Sequence, residues 1–182
     1  HFAAILKEST SVLKQYTRDV NSGFAGENLI RQVFDNEINK GFLEDTSRST
    51  EAGAEDYLWS FDARKANIEV KWKAAMHSKD DILKHETRIS EASRMGKISL
   101  GIFFSLQCKI PNKPSIALEV HSGIPVLYVS KTDGTTPESL VAIGFRIAIA
   151  VWHRLEKEEE FEEDVSLVYD VVQSLQGIVS RL

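Results

Sequence analysis

The chain has 182 residues, 42% of them hydrophobic and 27% charged, which suits one soluble domain with a single core and excludes a disordered chain. No apolar run reaches the roughly 20 residues that a membrane span needs. A lone cysteine, Cys108, excludes an intramolecular disulfide and a Cys-rich zinc site and points to a reducing, intracellular setting. The net charge of −5 is unevenly spread: Glu156, Glu158, Glu159, Glu160, Glu162, Glu163 and Asp164 against Lys157 make −6, so the rest of the chain is slightly basic. From Arg64 to Lys97 nine bases stand against five acids. Such a stretch draws a phosphate backbone through counterion release, although a solvated helix face has the same composition. The chain opens on His1 without a leader and is read as part of a larger protein.

In chain order, Phe2, Ile5, Leu6, Val12, Leu13, Tyr16 and Val20 recur at helical spacings, and Leu29, Ile30, Val33, Phe34 and Ile38 repeat the pattern over 26–38. Two amphipathic helices are expected, followed by a polar connection from Gly41 to Gly53. The period then changes to two. Glu55 to Phe61 and Asn67 to Lys73 read as the strands of a hairpin, the second with Ile68, Val70 and Trp72 on an apolar face and Asn67, Glu69, Lys71 and Lys73 on a charged one. A helix over 79–94, capped by Ser78 and ended by Gly96, comes next. The nearly continuous apolar runs 98–106 and 124–130 read as central strands, while 115–121 fits a short helix or a strand equally. Leu140 to Leu155, apolar almost all round, reads as a buried helix, and a last helix is expected over 164–179. Helices, then mixed strands and helices, then helices again make one α/β domain over 1–182: a mixed central sheet flanked by helices, with a core of about 23–130, additional N-terminal helices and C-terminal helices over about 137–181.

The chemistry lies in charged residues on elements otherwise built for burial. Glu69 and Lys71, two apart on a strand, emerge from one face and hold a carboxylate beside an ammonium. Hairpin pairing brings Asp56 near Glu69. Two carboxylates at that range repel, and a hard divalent cation relieves the repulsion, with Mg2+ the natural candidate and Mn2+ a substitute. Lys71 is then placed to orient water or to neutralise charge building on a phosphate. The bland counterpart is a cross-strand ion pair on a solvated sheet face. Lys73 shares the face of Lys71. His77, Lys84, His85 and Arg88 lie on or before the following helix. His121 and His153 lack metal-ligand spacing, Cys108 reads as a packed side chain, and Trp59 and Trp72 read as core.

With Gly23, Phe24, Ala25, Gly26 and Glu27 opening a helix, Gly53, Ala54, Glu55 and Asp56 leading into a strand, and Glu69, Val70 and Lys71 on the next, the chain resembles the restriction-endonuclease-like, or PD-(D/E)xK, nucleases over roughly Gly23 to Ser130. The look is nearest to Holliday junction resolvases and Mrr-type nucleases, though no motif selects either. The resemblance implies a restriction-endonuclease-like fold and a metal-dependent endonuclease acting on DNA. It places metal on Glu27, Asp56 and Glu69, makes Lys71 catalytic, and turns the following helix, with Lys84 and Arg88, toward nucleic acid together with Lys73. Glu55 stands where the family often has proline, a variable position that is not a ligand. The other class of reading keeps the fold without the chemistry, as a nucleic-acid-binding or oligomerisation module in a larger assembly. A homodimer through the C-terminal helices suits a nuclease that cuts both strands.

Overall fold

The structure, a computed structural model, describes residues 25–74 and 79–158. The expected helices over 2–20 and 164–179, the cap Ser78 and His77 lie outside the described residues.

A mixed six-stranded sheet forms the middle layer. Its strands are β1 (Phe42–Asp45), β2 (Tyr57–Phe61), β3 (Arg64–Lys71), β4 (Leu100–Ser105), β5 (Ile116–His121) and β6 (Ile124–Ser130), in the order β1-β2-β3-β4-β6-β5. The pairings of β3 with β4 and of β4 with β6 are parallel, and the other three are antiparallel. Helix α1 covers 25–33 and widens into a π-helical turn over Phe34–Ile38, so the helix expected over 26–38 is present but changes its winding. Helix α2 (Lys79–Arg94) connects β3 to β4, and helix α3 (Pro137–Glu158) follows β6. Gly96, at φ 62°, ends α2 as its position predicts: its N–H donates to Ser93 O and the Lys97 N–H to Ala92 O.

The sheet is covered on both faces. Ile68, Val70, Ile102, Phe104, Leu127 and Val129 pack with α1 and with Val141, Phe145, Ala148 and Trp152 of α3. On the other face Phe103, Val126 and Tyr128 pack with Ile89 and Ala92 of α2. The apolar residues of α3 are therefore spent in the chain's own core. Among the described residues no helix is long and apolar enough to cross a membrane.

Three points that the sequence left open or missed are decided by the fold. Strand β3 is not half solvated: Ile68, Glu69 and Val70 are all buried, because α2 roofs the charged face. The polar connection after α1 holds an edge strand, β1, that pairs with β2 and offers only Leu43 to the core, too little apolar repetition to read from sequence. The open segment 115–121 is a strand, returned into β6 by a two-residue turn in which Ser122 (φ 52°) and Gly123 (φ 82°) both adopt the left-handed conformation that tight hairpins demand.

Candidate active site

Antiparallel pairing sets Tyr57 opposite Ile68, so Asp56, one residue further out, comes level with Glu69 at the open end of β3. The Asp56 carboxylate accepts the Val70 N–H through Oδ2 at 2.7 Å. Helix α1 reaches the same end because Gly26 has no side chain: a Cβ there would lie 3.0 Å from Val70 Cγ1 and 3.1 Å from Trp72 Cβ. The Tyr57 hydroxyl donates to the Glu27 carbonyl at 3.0 Å, tying this turn of α1 to β2. Glu27, Asp56, Glu69 and Lys71, from a helix, a loop and a strand, thus meet at one place.

The electrostatics record the crowding. Burial, then Asp56, Asp45 and Glu69, push the Glu27 carboxyl above its ordinary range, with Lys71 pulling the other way. Burial and then Glu69 raise Asp56 to about 6. Burial and then Glu55 raise Glu69 to about 7. Burial works against the charged form of Lys71, but its ion pair with Glu69 and the nearby Asp56 outweigh that and hold the ammonium charged. Carboxyl groups that raise one another's proton affinity gain most from a cation that replaces the protons, and their hard oxygen donors suit Mg2+ or Mn2+. The residues present therefore fit such an ion, although their ligand atoms are not drawn within 4.8 Å of one another.

Behind this group lies Glu55, whose side chain is wholly buried. Its Oε2 accepts from Arg88 Nη1 at 2.9 Å and its Oε1 faces His85 Nδ1 at 3.1 Å. Arg88 Nη1 also lies 3.4 Å from Glu69 Oε2. Burial holds the His85 imidazole down at about 3 and hence neutral, so against a carboxylate Nδ1 carries the hydrogen. Its buried Nε2 has no partner among the described residues. Sequence reasoning set Glu55 aside as a variable position; Gly53 (φ 77°), where a Cβ would lie 3.0 Å from the Arg88 carbonyl and Ala92 N, is the signal that its loop lies against α2.

The residues expected at nucleic acid divide. Arg88 points inward to Glu55 and Glu69 while leaving 44% of its side chain exposed. Lys73 pairs with Asp81 at the start of α2, at 2.5 Å. Lys84 is exposed on α2. Trp59 is fully buried, Trp72 packs partly buried against the core, and Cys108 is buried with its Sγ 3.4 Å from Ser105 Oγ.

One group of three potential ligands within 4.8 Å occurs among the described residues, and the sequence did not single it out: Glu86 of α2 with Glu119 and His121 of β5, all half-buried. Tyr128 donates to Glu86 Oε1 at 2.8 Å, His121 Nε2 lies 3.2 Å from Glu119 Oε2, and Lys113 donates to the same oxygen at 2.5 Å while lying 4.0 Å from the Tyr128 ring centroid. An ammonium thus already answers the charge of these acids. Comparison with protein-family models, with curated proteins and with solved structures finds no match.

Proposed function

We propose that this chain is a metal-dependent nuclease that hydrolyses phosphodiester bonds, acting on DNA as an endonuclease in an intracellular setting. The observation that carries the reading is the meeting of Glu27, Asp56, Glu69 and Lys71, from separate elements, at the end of β3, where burial and neighbouring acids hold the carboxyls' proton affinity up. A mixed sheet with these acids near its centre and helices on both faces supports the restriction-endonuclease-like fold that the residue pattern implies.

Asp56 and Glu69, with Glu27 beside them, would hold the divalent ion, which would supply Lewis acidity to polarise a phosphate and acidify water. Hydrolysis adds water to phosphorus and breaks one P–O ester bond, building negative charge on the phosphoryl oxygens. Lys71, kept charged by Glu69, lies where it can neutralise that charge or align the attacking water. Lys84 and the exposed edge of Arg88 offer cations to the flanking backbone. The homodimer expected through the C-terminal helices would let two sites address both strands.

The test is cleavage of labelled duplex, junction, flap and single-stranded DNA, and of RNA, with Mg2+, Mn2+ or EDTA, in wild type, Asp56→Ala and Lys71→Ala. Metal-dependent cutting lost in both variants is expected. Folded wild type that cuts no better than the variants overturns the reading and leaves a binding or scaffold module.

A further inference from the structure

Glu55 is a fully buried carboxyl group beside Glu69, which it makes harder to ionise, and a buried acid is retained at a cost unless something compensates it. What compensates it is built from α2. Arg88 Nη1 lies 2.9 Å from Glu55 Oε2 and 3.4 Å from Glu69 Oε2, so one nitrogen joins the two acids. His85, with a side chain showing no exposed surface, closes the other side of Glu55 at 3.1 Å. Glu69 is consequently held from both ends, Oε1 by Lys71 and Oε2 by Arg88. Carboxylate oxygens have about four lone-pair directions between them, so these two contacts leave room for a cation while fixing the plane of the group.

We propose that Glu55 and Arg88, backed by His85, are positioning residues that clamp the Glu69 carboxylate in the orientation that binds the divalent ion. The inference rests on the metal site proposed above. Glu55 anchors the guanidinium, Arg88 carries the constraint to Glu69, and His85 stops Glu55 from turning away. Partners behind a ligand commonly change metal affinity by about 10–100-fold when lost.

The experiment is a Mn2+ titration followed by electron paramagnetic resonance, run beside the Mg2+ dependence of DNA cutting, on wild type, Asp56→Ala, Arg88→Lys and the double variant Glu55→Gln/Arg88→Met. Arg88→Lys keeps a cation beside buried Glu55, so the fold is retained, but its ammonium ends about one bond short of Nη1 and lacks the planar fork. The double variant removes the buried charge together with its partner, so neither is stranded. Both are expected to bind Mn2+ about tenfold more weakly and to need correspondingly more Mg2+ for half-maximal cutting, with the rate at saturating metal changed less. If Arg88 only neutralised Glu55, lysine would restore wild-type affinity. Wild-type Mn2+ affinity in either variant, with Asp56→Ala losing the metal, overturns the clamp and leaves the metal site standing. Wild type binding Mn2+ no better than Asp56→Ala overturns both.

Discussion

The Asp56 carboxylate accepts the backbone N–H of Val70 at 2.7 Å, so the acid at the mouth of β2 is tied to the residue between Glu69 and Lys71. The bond holds Asp56 on β3 while leaving its other oxygen for a cation. Asp56→Asn keeps an acceptor for Val70 and loses the charge; Asp56→Ala loses both. Neither is expected to cut nucleic acid above background, and Asn should be more stable than Ala by about 1 kcal/mol, the net worth of a hydrogen bond. Equal melting temperatures would show that the Val70 contact contributes nothing.

Asp56 titrates at about 6 and Glu69 at about 7 in the folded protein, against ordinary values of 3.8 and 4.5. Over that window the folded state holds protons that the unfolded chain has released, so stability falls as pH rises through about 4 to 7 and levels off above. Glu27 and Glu55 add to the repulsion, and Lys71 and Arg88 oppose it. His85, lowered from 6.5 to about 3, works in the opposite sense, its contribution being lost as pH falls below 6.5. A difference between wild type and Asp56→Asn cancels most of the His85 effect. In EDTA the variant should be more stable at pH 8 by about 1–3 kcal/mol in chemical denaturation, with the gap closing toward pH 4.5. A pH-independent gap would refute the assignment.

Gly26 lets α1 lie against β3. Gly26→Val places methyl groups where Val70 and Trp72 already sit, at an expected cost of about 1–3 kcal/mol. Because Glu27 is the next residue, metal affinity should fall along with stability, whereas a change of similar volume at Gly134, whose Cβ would meet nothing within 4 Å, should leave metal affinity alone. Chemical denaturation and Mn2+ titration of both variants check this.

Lys84 is exposed, and Lys73 is engaged by Asp81. Lys84→Ala should weaken DNA binding uniformly across sequences and reduce the slope of log affinity against log salt by about 1. Lys73→Ala should change the slope less and also loosen the start of α2. Binding isotherms at several salt concentrations separate the two; an unchanged slope for Lys84→Ala would remove it from the interface.

Periodicity and turn chemistry made much of this fold readable from the chain alone. Alternation over 67–73 marked β3, though the strand runs 64–71 and leaves Trp72 and Lys73 beyond its end, the stop at Gly96 marked the end of α2, and the apolar runs 98–106 and 124–130 marked the central strands, since each is a local consequence of two or 3.6 residues per repeat. Order along the chain also picked out Asp56, Glu69 and Lys71, to which the family resemblance added Glu27, and the folded chain brings the four to one end of β3. Three things were settled only by tertiary contact. Alternation says that β3 has two faces but not that α2 covers the charged one, so Glu69 is buried where a solvated ion pair was as readable. Edge strands β1 and β5 are defined by their neighbours' hydrogen bonds more than by their own residues. Glu55, His85 and Arg88 lie 30 and 33 residues apart along the chain from Glu55, and nothing in a sequence says which distant polar side chains will be buried together, because that depends on how a helix settles on a sheet.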